Sequence, residues 1–451
     1  MNKLQEIFNH KFIIIFFLYI SLTYMLFSLI FSRSFVGIYL FGFRMGEIFM
    51  FLSLTMFLYF IFFKKNIKHF LKNLKLVCFS LLLTFFLITY LSNSSLLETY
   101  TYKTSSYIWS LGFLMLGIYS TKINFNKFYI TIFSAILFIV YLVAIFDFPN
   151  FIQSIFLNYS DKYEPHKAAD IVLLIVIYLT YLNNYFKKSL TSLTVNLFVF
   201  SLFLPLLLYK SRASFIACLV FLIYILFDYR SKIKSNILKL LIILIPCFIL
   251  SSISTVISQT KVIEEYSFEE VSDSYSSLGQ YKFNTYVEDE RLFYIQNGRI
   301  YSGDGNLNWR LRMWQDQILF TLEEGSIFSG VGYKEKLKVF RVETPPEKGG
   351  SGIPGAYGND RKGLDGLNEQ IHNYFLTIFA RGGLIHVSIF IFLYLYMIIN
   401  VNKSNLKLFL AILFSILFVS SFDSSMENAH FPLIFYFFIG NYFFNINLKS
   451  Q

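Results

Sequence analysis

The chain alternates long apolar runs with short polar connections. A helix needs about 20 apolar residues to cross a bilayer, and the sequence contains about twelve such runs. They lie at residues 12–31, 45–63, 74–92, 106–121, 127–146, 168–185, 190–209, 213–228, 236–258, 373–399, 405–422 and 430–446. No small-residue cleavage site follows the first run, so we expect it to stay in the protein. The pattern predicts an all-α polytopic membrane protein.

Basic residues in the short connections predict the orientation. Most Lys and Arg residues lie in one alternating set of connections, which the positive-inside rule makes cytoplasmic together with both termini. The opposite set holds few cations, namely Arg33, Arg44, Lys103, Lys162, Lys167, Lys210 and Arg212. We therefore expect helices 1–9 within residues 1–258, one large periplasmic segment at 259–371, and helices 10–12 within 372–451.

The large outer segment differs from the rest because it is polar. It is too long for a structureless loop inside a compact protein, so we expect it to contain short amphipathic helices. Residues 311–324 repeat apolar side chains at intervals of three and four, which indicates such a helix. Residues 344–366 are rich in Gly and Pro and are predicted to form a mobile flap.

Composition agrees with a membrane location. The 451 residues are 55% apolar and 15% charged, whereas soluble domains carry about 25% charged residues. The net charge of +11 does not indicate nucleic-acid binding, which needs a basic patch on a soluble face. Cys78, Cys218 and Cys247 each lie in an apolar run without a CxxC or Cys/His pattern. They are predicted to be small buried side chains, not a zinc site or a disulfide framework.

Arg212 is a candidate functional residue because an arginine next to hydrocarbon is costly and usually has a partner or a task. It lies in Tyr-Lys-Ser-Arg-Ala-Ser-Phe, between two spans joined by almost no loop. The alternative is that its side chain snorkels to outer-leaflet phosphates.

Arg310 and Arg312 stand at the start of the predicted amphipathic helix. A guanidinium binds phosphate through two parallel hydrogen bonds, which lysine cannot do. The pair is therefore a candidate for binding a diphosphate. The alternative is a solvated face with salt bridges to Asp304 or Asp316.

His372 and Asn373 lie where the outer segment re-enters the membrane. An imidazole accepts a proton from a hydroxyl near neutral pH, and the amino end of the following helix favours anions. The alternative is an interfacial cap on the span. The last outer loop adds Asp423, Glu427 and His430, which would orient an arginine, contact sugar hydroxyls, or only provide loop polarity.

The candidate residues share one predicted outer face, and this arrangement suits transfer from a lipid diphosphate. Arginines would neutralise the leaving group in place of a metal, and a histidine would activate the acceptor hydroxyl. The sequence has no Ser-His-Asp motif, Walker loop or DxD pair. A transporter of lipid-linked sugars is the alternative from another class, and it is less favoured because the charges gather on one face.

Four short motifs carry a family resemblance. They are Ser211-Arg212-Ala213-Ser214; Arg310 to Trp314, followed by Phe328-Ser-Gly-Val-Gly-Tyr333; His372-Asn373-Tyr374, followed by Arg381-Gly382-Gly383; and Met426-Glu427 with Phe431 and Gly440. Through them, roughly residues 195–440 resemble the O-antigen ligase and O-antigen polymerase superfamily of WaaL- and Wzy-type bacterial membrane enzymes. The chain departs from the family pattern at Ile327-Phe328, which replaces a proline-containing pair, and in a long insertion at 340–368.

The resemblance implies a metal-independent glycosyltransferase without a cofactor, with a GT-C-like fold in the bacterial inner membrane. The donor would be a glycan on undecaprenyl diphosphate. The acceptor would be lipid A-core in a ligase, which we favour, or a second lipid-linked repeat unit in a polymerase. By position, Arg212 and Arg310 would bind the diphosphate, with Arg312 a weaker candidate. His372 would be the base or orient the acceptor, and Asn373, Glu427 and His430 would contact substrate.

Overall fold

A computed structural model describes most of the chain. The described residues are 2–63, 69–93, 95–120, 127–161, 163–164, 166–187, 189–265, 293–296, 298–303, 305–323, 326–334, 336–338, 367–368 and 371–444. The predicted flap at 344–366 and Asp304 lie outside them. The chain divides into two compact units. Unit 1 contains residues 1–78, 106–258 and 394–451, and unit 2 contains residues 79–105 and 259–393.

The described chain is mostly helical. Its helices are α1 (Asn2–Val36), α2 (Met45–Phe63), α3 (His69–Leu91), α4 (Thr99–Thr104), α5 (Ser106–Trp109), α6 (Leu111–Tyr119), α7 (Lys127–Phe146), α8 (Asn150–Tyr159), α9 (Ala168–Tyr185), α10 (Leu190–Lys210), α11 (Arg212–Asp228), α12 (Arg230–Glu265), α13 (Gly305–Glu323), α14 (Tyr374–Asn400), α15 (Leu406–Ser420) and α16 (His430–Phe443). A 3-10 turn at Ser425–Glu427 precedes α16.

Short antiparallel strand pairs interrupt the helices, and the hydrophobic pattern did not predict them. The pairs are β1 (Tyr39–Leu40) with β2 (Phe43–Arg44), β3 (Tyr294–Gln296) with β4 (Arg299–Tyr301), and β5 (Leu337–Lys338) with β6 (Leu367–Asn368). The outer segment therefore combines strand pairs with α13, the helix predicted at 311–324.

Seven helical segments among the described residues are long and apolar enough to cross a membrane. They are Ile15–Val36, Met45–Phe62, Phe70–Leu91, Ala168–Tyr185, Leu190–Lys210, Arg230–Ile257 and Tyr374–Asn400. An eighth span results if Ile130–Phe146 and Asn150–Tyr159, bent by 84°, count as one. The prediction of a helical membrane protein is confirmed. The other predicted spans coincide with shorter helices, so the number twelve and the GT-C-like fold stay predictions.

Besides α12, which is kinked at Asn236, two of the long helices have a break that the apolar pattern did not reveal. Ser32 in α1 and Gly383 in α14 have φ values of 48° and 60°, outside the helical range. A break frees backbone N–H and C=O groups, and these must find partners inside the protein when they lie at membrane depth. Both breaks lie beside candidate functional residues, described below.

α16 forms the centre of unit 1 because nearly all of its side chains are buried. Its Asn441 amide donates to the hydroxyl of Ser120 after α6 at 2.8 Å and accepts from the hydroxyl of Tyr181 on α9 at 3.2 Å. Tyr436 exchanges a 2.8 Å hydrogen bond with Tyr394. Such polar contacts fix helix register where hydrocarbon surrounds the bundle. α16 begins at His430, so its position places that candidate residue.

Unit 2 has its own small core. The buried side chains of Met313, Leu337, Ile371 and Ala380 pack together, with Trp314, Val331 and Leu376 against them. These residues come from α13, β5, the connection before α14, and α14 itself. The core therefore joins the helix that carries Arg310 to the segment that carries His372.

Candidate functional site

α13 presents the arginine pair of unit 2. Arg310 and Arg312 are half-buried, and Trp314 lies one helical turn after Arg310 on the same face. The Trp314 indole Nε1 donates to the backbone carbonyl of Ile371 at 2.8 Å. Since Ile371 directly precedes His372, this hydrogen bond connects the Arg310 face of α13 to the candidate base.

Another face of α13, which includes Arg312 together with Gln315 and Asp316, is anchored to the β3–β4 pair. The Gln315 side chain accepts from the Ile300 N–H and donates to the Ile300 C=O, both at 2.8 Å, as a neighbouring strand would. Arg299 pairs with the fully buried Asp316 carboxylate at 2.6 Å. The sequence offered Asp316 as a salt-bridge partner for Arg310 or Arg312, whereas the structure shows its ion pair with Arg299. α13 is thus a rigid support for Arg310 and Arg312.

His372 occupies a strained backbone position. Its φ is 52°, a left-handed conformation that is uncommon for any residue except glycine. The preceding carbonyl is bound by Trp314, and the following Asn373 caps α14 through its Oδ1, which accepts from the Leu376 N–H at 3.0 Å. Surrounding contacts must hold such a residue in place, and strain of this kind is common at functional sites. The backbone of His372 is therefore fixed by its two neighbours, and its side chain is half-buried.

The glycine-rich segment 326–333 forms backbone hydrogen bonds with α14 on both sides of its break at Gly383. The N–H groups of Val331 and Gly332 donate to the carbonyls of Ala380 and Arg381 at 2.8 and 3.1 Å. On the other side of Gly383, two α14 N–H groups donate to the carbonyls of Ile327 and Phe328 at 2.9 and 3.2 Å. The segment thus supplies partners for the backbone groups that the break releases.

Within unit 2, polar side chains bind this segment to α3 and α14. The buried Tyr333 hydroxyl and the Thr84 hydroxyl contact the two ring nitrogens of His386 at 2.8 and 3.0 Å. Arg381 is fully buried and donates to the Gly332 carbonyl at 3.2 Å. Because both nitrogens of His386 are engaged, we assign it a structural role.

Arg212 is positioned in unit 1 by a tight connection. α10 ends at Lys210 and α11 begins at Arg212, so only Ser211 separates them. The Ser211 side chain caps α11 by accepting from the Ser214 N–H, which explains the Ser-Arg-Ala-Ser motif locally. Arg212 is exposed at the amino end of its helix, where a guanidinium and free helix N–H groups both attract an anion.

A network of charged side chains joins distant connections of unit 1. Arg33 donates to the Glu164 carboxylate and to the Asn428 amide oxygen, both at 2.8 Å. Lys167 lies 3.7 Å from Glu164 and 3.8 Å from Asp423. The predicted candidate Glu427 is half-buried and directly precedes Asn428. Arg33 therefore holds the last loop of unit 1 through Asn428. The sequence analysis counted Arg33 only among the cations of the predicted outer connections.

Asp170 is a candidate functional residue that the sequence analysis did not name. Its carboxylate accepts from His430 Nε2 at 2.9 Å and from the Ser32 hydroxyl at 2.5 Å. His430 is buried, and so is His166, whose Nε2 donates to the Leu29 carbonyl at 3.1 Å. An ionisable residue inside an apolar span is a functional candidate by itself, and this signal was present in the predicted span 168–185.

Two groups of the network have shifted pKa values. Burial acts to raise the pKa of Glu164, but the charges of Arg33 and Lys167 outweigh it and hold that pKa below its ordinary value. Burial lowers the pKa of His166, against the opposing effects of Asp170 and the Leu29 carbonyl. At neutral pH, Glu164 is ionised and His166 is neutral.

The structure assigns the predicted site residues to both units. Arg310, Arg312, His372 and Asn373 belong to unit 2, where Trp314 connects them. Arg212, Glu427 and His430 belong to unit 1. Their convergence on one face stays a prediction. Among the described residues, no group of three or more His, Cys, Asp and Glu side chains is arranged to hold a metal ion.

A known protein family matches the part of the chain that contains most of these residues. Residues 196–391 match the protein family described as O-Antigen ligase. The resemblance to the O-antigen ligase and polymerase superfamily is confirmed. The family implies glycosyltransferase-type enzyme activity on lipid-linked glycans. No curated protein and no solved structure gives a significant match to the chain.

The O-antigen ligase match covers less than half of the chain, from within α10 to within α14. It includes Arg212, Arg310, Arg312, His372 and Asn373, together with the glycine-rich segment and the α14 break. Glu427 and His430 lie beyond its end. The best-supported candidates are therefore the arginines and the His372–Asn373 pair.

Proposed function

We propose that the protein is an O-antigen ligase-like, metal-independent glycosyltransferase of the bacterial inner membrane. It moves a glycan from an undecaprenyl-diphosphate carrier to a hydroxyl of lipid A-core on the periplasmic face. The description of the matching family favours the ligase over a polymerase. In a polymerase, a second lipid-linked repeat unit would be the acceptor.

The leaving group of this reaction is a diphosphate, whose charge must be neutralised as the glycosidic bond breaks. Fixed cations aimed at developing charge lower the barrier without reorganising during the reaction. Arg212 and Arg310 have this role in our proposal, with Arg312 in support. The anchoring of α13 by Gln315 and Arg299 supports it, because a guanidinium on a rigid helix is already oriented.

His372 activates or orients the acceptor hydroxyl in this proposal. A base must lie within hydrogen-bond reach of the proton that it takes, so its position must be fixed. The observation that carries the proposal is the hydrogen bond from Trp314 to the Ile371 carbonyl. It connects, in one rigid arrangement, the helix of Arg310 with the residue before His372. Asn373, Glu427 and His430 complete the proposed substrate contacts.

The test is the surface glycan of a strain that lacks the gene, resolved on a gel and complemented with wild type or His372→Asn. Loss of polymer attached to lipid A-core, with long lipid-linked chains accumulating, supports the ligase. Core that carries a single repeat unit identifies a polymerase instead. An unchanged glycan pattern contradicts both. The His372→Asn protein should be present in the membrane at the wild-type level without restoring transfer.

A further inference from the structure

α8 is a short helix that lies between two of the predicted membrane spans, 127–146 and 168–185. It follows α7 after a bend of 84° at a break of at most four residues. α7 has 20 residues, enough to cross the bilayer by itself, so a helix at nearly a right angle to it runs along the membrane plane. An amphipathic helix in that orientation lies in the interface between water and lipid.

One side of α8 packs against neighbouring residues of unit 1. The Phe156 ring is buried, with its centroid 5.3 Å from that of Phe31 and 6.1 Å from that of Phe148. The Gln153 side chain donates to the Phe148 carbonyl at 2.6 Å. These contacts hold the helix in one rotation about its axis, so its remaining faces have defined directions.

Two exposed stripes follow from this rotation, each with residues four apart. The first is apolar and contains Phe151, Ile155 and Tyr159, which are 66%, 49% and 66% exposed. The second is polar and contains Asn150, Ser154 and Asn158, also exposed, and the 65% exposed Leu157 borders it on its far side. Three large apolar side chains in one exposed stripe are typical of a surface that contacts a membrane or another protein.

The elements next to α8 also expose apolar side chains. α7 exposes Phe138, Ile139, Leu142 and Phe146, as expected for a helix in contact with lipid tails. On the other side, the β1–β2 hairpin exposes Phe41 by 91% at its tip. Ser160 after α8 forms a bridge with Ile38, and Asp161 pairs with Arg44 at 2.8 Å. The hairpin and α8 are therefore one connected element.

We propose that α8 and the β1–β2 hairpin form a lipid-binding surface in the headgroup–acyl boundary of the bilayer. Ile155 and Tyr159 insert among the acyl chains, Phe151 and Asn158 lie at the edge of the inserted face, and Asn150 and Ser154 face water. The element adjoins the network of Arg33, Glu164 and Lys167, because Asp161 and Glu164 belong to the same short connection. It thereby sets the depth at which that network lies relative to the lipid phosphates.

The test compares two adjacent positions of α8 in the full chain. Ile155→Cys and Ser154→Cys are made in a background with Cys78, Cys218 and Cys247 replaced by Ala, labelled with bimane, and reconstituted in phospholipid nanodiscs. Lipids brominated on the upper acyl chain should quench bimane at Ile155→Cys at least threefold more than at Ser154→Cys. A water-soluble quencher should give the reverse order. Nanodiscs leave both membrane faces accessible, so the result does not depend on topology.

Equal quenching at both positions by brominated lipid, or none at either, overturns the proposal. Tyr159→Cys and Asn150→Cys, which lie on opposite sides of α8, repeat the comparison if either first variant fails to fold. Because the readout is lipid contact and not glycan transfer, it stands apart from the test of the enzymatic proposal.

Discussion

The indole Nε1 of Trp314 donates to the carbonyl of Ile371 at 2.8 Å, across 57 residues of sequence. This one hydrogen bond joins the arginine-bearing helix α13 to the strained residue His372. A net hydrogen bond contributes about 1 kcal/mol, a small part of the stability of such a protein. Its larger effect is positional, because a displacement of about 1 Å in a catalytic group lowers rates by roughly two orders of magnitude.

Trp314→Phe should therefore reduce transfer more than stability. The phenyl ring keeps the packing against Met313 and Ile371 but removes the donor. We expect kcat to fall by at least about tenfold, with KM for the lipid-linked donor little changed. Trp109→Phe makes the same chemical change in unit 1 and should leave kcat within about twofold of wild type. An unchanged kcat in Trp314→Phe would remove the positioning role.

His372→Asn removes the imidazole while keeping a residue that tolerates the left-handed backbone at this position. Asparagine adopts positive φ more readily than most residues, so this variant should insert and unfold like wild type. His372→Ala keeps the Cβ but lacks the polar side chain that makes His and Asn more common at positive φ, so it should be somewhat less stable than the Asn variant. Both variants should lose glycan transfer, measured with purified protein and lipid-linked donor. Substantial activity in the Asn variant would exclude His372 as the base.

Local sequence patterns predicted the helices well, because each depends on residues close in the chain. The predicted spans 127–146 and 168–185 coincide with α7 and α9. The breaks at Ser32 and Gly383 were not predictable in this way, since their partners are distant in sequence. Gly383 depends on residues 326–333, and Ser32 donates to Asp170, which lies 138 positions away.

The candidate site shows the same division. The motifs located Arg212, Arg310 and His372, and the role of Trp314 became clear only from its contact with Ile371. The network of Arg33 with Glu164 and Asn428 joins three connections that no local pattern relates. α8 was missed for another reason, because a ten-residue helix is too short for a search based on membrane-spanning length.

Arginine-to-lysine changes test the proposed diphosphate contacts. Lysine keeps the charge but lacks the planar fork that binds two phosphate oxygens. We expect Arg212→Lys and Arg310→Lys each to lower kcat/KM by at least about tenfold, with a smaller loss for Arg312→Lys. Arg310→Ala should abolish transfer. Arg230→Lys, at the exposed start of α12, is the matched control and should transfer like wild type. Equal rates in all four lysine variants would refute bidentate binding.

Gly330 and Gly383 should tolerate no side chain. Both have positive φ, and a Cβ would lie 2.5 Å from the Ala380 carbonyl oxygen in the first case and 2.2 Å from the Phe328 carbonyl carbon in the second. Gly298 also has positive φ, but a Cβ there meets nothing within 4 Å. Gly298→Ala therefore measures backbone strain alone, about 1 kcal/mol. Gly330→Ala and Gly383→Ala should unfold at clearly lower temperature than Gly298→Ala, and equal melting temperatures would contradict the close contact.

His166 predicts how stability depends on pH. A histidine in the unfolded chain has a pKa of about 6.5, and burial lowers the pKa of His166 in the folded protein. As the pH falls below about 6.5, the unfolded state binds the proton first, so stability is full above this pH and decreases below it. The slope contributed by one group approaches about 1.4 kcal/mol per pH unit.

His166→Gln removes this proton but keeps a donor for the Leu29 carbonyl. The other ionisable groups that face His166 are Asp170, Lys210 and His430, and all three are present in both proteins. Unfolding measured from about pH 8 to about pH 5 should show a shallower loss of stability in the variant. Glu164 should add its own loss only at still lower pH, because its folded pKa is depressed and its stabilising charge disappears as the pH falls through that value. If the variant and the wild type lose stability in parallel, His166 is not the group that titrates.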